Sequence, residues 1–476
     1  MPTIEAILTA RRGLVEAPAG CGKTQLIVDS LMVPTERPTL ILTHTTAGVA
    51  ALQKRLATKN IPKKTYKVAT IDSWAIHSIK CYPFTAGYLV DPNNLNYIAI
   101  RDAATRLCSS GAIDSILQAS YGRLLVDEYQ DCSVSQHALI TALANVLPTV
   151  IFGDPLQAIF GFGDDPLPAW QNDVLGNFPH LGMLTTPWRW NRVGAGELGS
   201  WLLMAREALI AGQSIDIRTC PNHIEWLGLP RNPGDLIQAQ VTTQYDINQQ
   251  YPEDNILIIG DSINADTRHS YARRARGVQV VEAVDLRDTL NQVLRIVDQR
   301  GESLLTAIIE FLSGVMVNVE GNRLITRVRS IVNGRNRTAP TAAEAAAVQV
   351  FQNGGYAEAL TLIKAMRQDP ARRVYRSVPF RMVCDALHRA SIDPDENLIE
   401  LFVGMREQRR HSGRNISGRS VGSTLLLKGL EADHVVILDA DNPDARKKLN
   451  AHNLYVAMTR GAKTIKVFSR SPILPN

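Results

Sequence analysis

The 476-residue chain has no run of about 18 apolar residues, so no membrane-spanning helix is expected. Its opening, MPTIEAILTARRG, lacks the charged, apolar and small-residue blocks of a secretory signal. Cys21, Cys81, Cys108, Cys132, Cys220 and Cys384 are scattered without a Cys-x-x-Cys pair. That spacing argues against a disulfide frame or zinc site and for reduced thiols in a cytoplasmic protein. Neither a fixed-period repeat nor a long low-complexity tract is present, which excludes solenoids and compositional tails. Charge of one sign is also lacking: 51 Lys and Arg stand against 46 acidic residues, net +5. Such a balance permits a polyanionic partner and does not demand one.

What is present is an ordinary soluble composition, 45% hydrophobic and 20% charged. The length supports roughly two to four domains. Residues 1–195 alternate short apolar runs with helix-like stretches. TLILTH (39–44), RLLVDE (123–128) and PTVIFGD (148–154) read as buried parallel strands; AGVAALQKRLA (47–57) and SQHALITALANVL (135–147) read as helices. The class is α/β with a parallel sheet. A second α/β signature comprises DNILIIGDS (254–262), ADHVVILDADN (432–442) and TIKVFSRS (464–471). Residues 286–419 between them lack clear strands and are rich in Ala, Leu, Arg and Gln, as expected of a helical insertion.

Residues 15–24, VEAPAGCGKT, pass from a strand into a small-residue loop ending in Gly-Lys-Thr, and a helix follows. This reads as a phosphate cradle, an ordinary small-residue loop being the other reading: in such an arrangement backbone N–H groups and a helix N-terminus face the phosphates. Ala19, Gly20, Cys21, Gly22, Lys23, Thr24 and Gln25 form it. Lys23 is expected at the β/γ-phosphates and the Thr24 hydroxyl on Mg²⁺. LLVDEYQD (124–131) ends a strand in Asp127-Glu128. A nucleotide-bound Mg²⁺ needs a carboxylate there and water attack needs a base, roles that suit Asp127 and Glu128 respectively. IFGDPLQAIFGF (151–162) adds Gln157 as a γ-phosphate sensor and Phe162 as a ring for a nucleobase.

In this order the segments resemble superfamily 1 DNA helicases of the UvrD/PcrA/Rep type. DEYQD and GDPLQAIFGF are the most specific within the first half, and NLYVAMTRGAK (453–463) is highly specific near the end. LTHTTAGVAALQKRL (42–56), TIDSW (70–74), LTTPWRWN (184–191) and STLLLKGLEADHVVI (423–437) resemble the family's remaining motifs. The resemblance implies two RecA-like domains around ATP and Mg²⁺. It implies residues 1–195 as the first domain, with a small insertion at about 78–118, and 196–285 with 420–476 as the second, with 286–419 inserted. It gives Arg189 and Arg460 the neutralisation of charge on the γ-phosphate, and Glu431 a ribose contact. Trp188 has two readings, a ring stacked on adenine or a packed core residue. His44, Thr70, Phe162, Thr424 and Lys428 become DNA contacts, and Phe160 has a core reading. RHSYARRAR (268–276) and MREQRRHSGR (405–414) read either as phosphate-tracking stretches or as solvated faces. P-loop kinases and small GTPases do not carry YVAMTRG or KGLE.

The chain departs from the family at several points. Ala17 replaces the usual first glycine, no adenine-reading Gln precedes the loop, Asp72 stands where His is common, Leu425 replaces a His, and Gly163 stands where many members carry Arg. Compactness resembles the helicase-like subunit of the Gabija anti-phage system, which works beside an OLD/Toprim-type nuclease. Two functions follow: a 3′→5′ DNA helicase or translocase with such a partner, or a DNA-sensing ATPase that regulates a nuclease and unwinds little. No carboxylate cluster of a nuclease is evident.

Overall fold

The computed structural model describes residues 2–475 except 93, 162, 221, 284, 394, 412–417 and 441–449. By internal contacts the chain forms two compact units, Met1–Gly228 with Glu431–Asn476, and Leu229–Leu430.

The first unit is organised on a six-stranded sheet. Its strands are β1 (Arg12–Glu16), β2 (Thr39–Thr43), β3 (Tyr66–Thr70), β4 (Arg123–Val126), β5 (Thr149–Gly153) and β6 (His180–Met183), in the spatial order β3-β2-β4-β5-β1-β6. Every registered pair is parallel. Both faces of the central strands are buried, which is why they read as continuous apolar runs. Leu14, Leu40, Leu42, Leu124, Val126 and Ile151 enter one core with Ile71, Trp74, Ile100 and Leu139 from helices 71–81, 97–109 and 134–146. Val15, Ile41, Leu125, Val150 and Phe152 enter the other with Ile27, Leu52 and Leu56 from helices 23–30 and 46–58. Parallel strands bring their C-terminal ends to one edge, where open α/β sheets bind ligands. Glu16, Thr43, Thr70, Asp127 and Asp154 all lie at or just beyond those ends.

The remaining strands are β7 (Ile215–Asp216), β8 (Ile224–Gly228), β9 (Ile256–Ile259), β10 (Val278–Val280), β11 (Arg419–Gly422), β12 (Ala432–Ile437), β13 (Gly461–Ser469) and β14 (Ile473–Leu474). The second six-stranded sheet runs β10-β11-β9-β12-β13-β8, and β14 pairs antiparallel with β7. The fold is therefore α/β with two parallel six-stranded sheets, as two RecA-like domains require.

In the second unit, β9, β10 and β11 are parallel neighbours. Between β10 and β11 the described residues form helices 287–296, 301–315, 321–332, 342–353, 356–368, 377–392 and 398–411. Leu304, Ile308, Leu312, Val328, Val350, Leu362, Met366, Val383, Leu387 and Phe402 form their shared core. Arg376 is buried and ties this unit internally: it donates to both carboxylate oxygens of Glu282, at 2.7 and 2.8 Å, and pairs with Asp288 at 2.7 Å. No described helix is long and apolar enough to cross a membrane. All six cysteines are free thiols.

Candidate nucleotide site and nucleic-acid residues

The loop from Ala17 to Gly22 turns β1 into the helix Lys23–Ser30. Gly20 and Gly22 have φ of +71° and +93°, a backbone region that side chains disfavour. A Cβ at Gly20 would stand 2.6 Å from the Trp190 ring, and one at Gly22 would stand 3.0 Å from the Trp188 ring. Among the described residues no side-chain hydrogen bond caps the helix, and a helix start of this kind suits an anion. Gln25 donates through Nε2 to Asp29 at 2.6 Å, one helical turn on.

Lys23 Nζ lies 2.9 Å from Asp127 Oδ1 and 2.5 Å from Glu128 Oε1. Burial lowers the Lys23 pKa, but the two carboxylates outweigh it and hold the ammonium well above its ordinary value. Burial raises the Asp127 carboxyl, with Lys23 opposing and burial prevailing. The Glu128 backbone N–H donates to Asp127 Oδ1 at 2.9 Å, and Gln130 Nε2 donates to Glu128 Oε2 at 2.5 Å. Glu128 itself adopts φ +55°. A non-glycine residue held there costs about 1–3 kcal/mol, and such strain is typical of functional sites. Two carboxylates thus share one ammonium. Carboxylate oxygens are the donors that suit a hard divalent cation.

Gln157 donates to Asp154 Oδ2 at 3.0 Å. Asp154 also accepts from Arg206 Nε at 3.0 Å, and Arg206 pairs in addition with Glu16. Arg206 is 2% exposed, and its burial is compensated by two carboxylates. Sequence reasoning missed this network, because Arg206 lies mid-helix in Gly196–Ile210 with no motif around it.

The short helix Trp188–Asn191 lies against the loop: the Arg189 N–H donates to the Gly20 carbonyl at 3.1 Å. Arg189 pairs with Glu431 and donates to the Thr459 carbonyl. Burial would raise the Glu431 carboxyl; Arg189 first and Arg460 second outweigh it and hold it below the usual range. Glu431 is thus the counter-ion of Arg189. Arg460 is 4% exposed; its Nε donates to the Val456 carbonyl at 2.9 Å and a terminal nitrogen to Thr459 Oγ1 at 3.1 Å. Burial, then the neighbouring Arg189, pushes the Arg460 guanidinium down to about 10. It stays charged at neutral pH, with its charge held at a cost that an anion would relieve.

Trp188 is 49% exposed and Trp190 is 1% exposed, so Trp190 is the core residue of the pair. Trp190 Nε1 donates to the Gly461 carbonyl at 2.9 Å. Buried Tyr455 hydrogen-bonds the Ala19 backbone. Trp190 and Tyr455 both brace the loop and were not singled out in the sequence, where an aromatic at either position has no distinguishing pattern.

Among the nucleic-acid candidates, His44 stacks at a tilt on Phe160, centroids 5.8 Å apart. The Thr70 hydroxyl accepts the Ser73 N–H at 3.0 Å and so caps helix 71–81. Thr424 is buried at the start of a short helix after β11, its hydroxyl without a partner among the described residues. Lys428 ends that helix. Phe162 lies outside the described residues, as does part of 405–414. The arginines of 268–276 are not simply a solvated face. Arg268 is buried and donates to the Asp261 and Asn264 carbonyls, while Arg273 donates to the Tyr375 hydroxyl at 2.8 Å.

Residues 89–165, which include Asp127, Glu128 and Gln157, match the family model of the UvrD/REP helicase N-terminal domain. No curated protein matches the chain. Similar solved structures include the arterivirus nonstructural protein 10 (helicase) in complex with DNA, at 10% identity and TM-score 0.36. The crystal structure of the same helicase is similar at 11% identity and TM-score 0.32. Each likeness covers 98% of this chain and 62% of the other, so the chain spans 62% of the length of those proteins.

Proposed function

We propose that the chain is an ATP-driven superfamily 1 DNA helicase or translocase with 3′→5′ polarity, acting on single-stranded or end-containing DNA. The observation that carries this reading is the meeting of Lys23, Asp127 and Glu128 at 2.5–2.9 Å, behind an uncapped helix N-terminus. Bound ATP with Mg²⁺ would supply the phosphoanhydride whose hydrolysis drives the motor. Lys23 and the loop N–H groups would hold the phosphates, and Thr24 and Asp127 the metal. Trp188, exposed beside Gly22, offers a face for the base. Glu128 would take the proton of the attacking water, and Gln157 would orient that water. Arg189 and Arg460 would neutralise charge on the γ-phosphate. Residues 1–195 would be the first motor domain, 196–285 with 420–476 the second, and 286–419 its helical insertion. His44, Thr70, Phe162, Thr424 and Lys428 would contact the strand. The biological setting proposed is cytoplasmic anti-phage defence of the Gabija type, beside an OLD/Toprim-type nuclease.

A second reading, a DNA-sensing ATPase that regulates a nuclease, is favoured by one observation. Arg268, Arg273 and the Thr70 hydroxyl are engaged within the protein, which thins the set of groups left to grip a strand. Duplexes with a 3′ or a 5′ single-stranded tail separate the two readings. The motor reading predicts ATP-dependent strand separation of the 3′-tailed duplex alone. Separation of the 5′-tailed duplex would reverse the polarity, and separation of neither by an ATPase that DNA stimulates would favour the regulator.

A further inference from the structure

Asp72 departs from the family pattern, and the nucleotide site does not use it. Its carboxylate accepts both arms of Arg101, Nε at 2.6 Å and a terminal nitrogen at 2.8 Å, and also Gln136 Nε2 at 3.3 Å. The other terminal nitrogen of Arg101 donates to Asp165 Oδ2 at 3.0 Å. Asp165 further accepts the Ser135 N–H at 3.1 Å and its hydroxyl at 2.5 Å. Next to it, the Pro166 carbonyl accepts the Val134 N–H at 2.8 Å. Burial raises the Asp165 carboxyl, but the Ser133 and Ser135 bonds and Arg101 outweigh it and hold it below its usual range. One guanidinium thus joins helix 71–81, helix 97–109 and the loop that leaves β5.

That loop has a particular layout. Gln157 lies at its near end, tied to Asp154. Phe160 lies in the middle, against His44. Gly161 and Gly163 follow, Gly163 at φ +102° with open space around it. Two glycines leave the chain much backbone freedom, so the next fixed point decides how the loop is held. That fixed point is Asp165.

We propose that Arg101 is a positioning residue: by bridging Asp72 and Asp165 it fixes the far end of the loop that follows Gln157 and thereby sets how readily single-stranded DNA stimulates ATP hydrolysis. The DNA half rests on the functional reading above. Arg101 is remote in sequence from every motif of the nucleotide site, and its fork geometry is what two carboxylates on separate elements require.

The test compares wild type, Arg101→Gln and Arg101→Lys. It measures hydrogen exchange of the 158–165 amides without ligand, and ATP hydrolysis against a titration of single-stranded oligonucleotide. Arg101→Gln is expected to speed exchange in the loop and retain basal hydrolysis. It should raise the half-stimulating DNA concentration at least about fivefold, the lower end of ordinary site-to-site coupling. Arg101→Lys, which keeps charge without the fork, should fall between. Unchanged exchange, or a DNA response superposable on wild type, overturns the proposal. If Arg101→Gln does not fold, Asp165→Asn cuts the same ion pair with nearly the same shape and carries both measurements. If wild type itself shows no stimulation by DNA, the functional reading fails and the DNA half falls with it, while exchange still decides whether Arg101 holds the loop.

Discussion

Glu128→Gln is expected to keep nucleotide and Mg²⁺ binding and to lose turnover by about 10²–10⁴-fold, the usual contribution of a general base. The amide preserves the side chain's length and its place beside Lys23 and Gln130 but cannot take a proton. Asp127 lies 2.9 Å from Lys23, a contact the substitution does not touch, so the carboxylate proposed to bind the cation and the ammonium proposed to bind phosphate should stay in register. The left-handed backbone at Glu128 is a second reason to assign it the reactive role. Among the described residues five other non-glycine positions share a positive φ, and Glu128 is the one of the six that lies just after a strand of the first sheet, beside Lys23. Steady-state hydrolysis beside direct nucleotide binding checks the split. Turnover near the wild-type rate would remove Glu128 from the role of base.

Arg460→Ala is expected to lower turnover by about 10³–10⁵-fold, the range for an arginine that stabilises charge on a transferring phosphoryl group. Burial and then the neighbouring Arg189 disfavour the charged form of Arg460, while Arg189 is itself paired with Glu431. Like charges brought together inside a protein have a cost, and a γ-phosphate would turn that cost into complementarity. Arg460→Lys separates charge from geometry. A lysine keeps one positive charge but loses the planar fork, so it should recover only part of the loss. Measuring kcat together with nucleotide affinity distinguishes the roles. A defect confined to affinity would make Arg460 a binding residue rather than one that acts on the transition state.

The central strands and the carboxylates at their ends were legible in the sequence for one physical reason. A buried parallel strand is a continuous apolar run, and the first polar group after the run lies at the sheet edge where open α/β sheets bind ligands. LLVDE and VIFGD have that form, and both end at the expected edge. β3 and β6 lie at the edges of the first sheet and are largely half-exposed, and β10 has only three residues. Their mixed polarity hides them among loops. The two readings of Trp188 could not be separated by spacing, since exposure is a tertiary property. The arginines of 268–276 show the converse. Composition marks them as a basic stretch, and only the fold reveals that Arg268 and Arg273 are spent on carbonyl and tyrosine oxygens. The Arg206–Asp154–Glu16 and Arg101–Asp72–Asp165 networks join residues far apart in the chain, which no local pattern can signal.

The most direct test of the account is steady-state ATP hydrolysis by the purified chain, with and without single-stranded DNA, beside Lys23→Ala. The account predicts hydrolysis that DNA stimulates strongly and that the substitution abolishes, because Lys23 is the group that joins the phosphate loop to Asp127 and Glu128. Hydrolysis indifferent to DNA, or surviving the loss of Lys23, would contradict it.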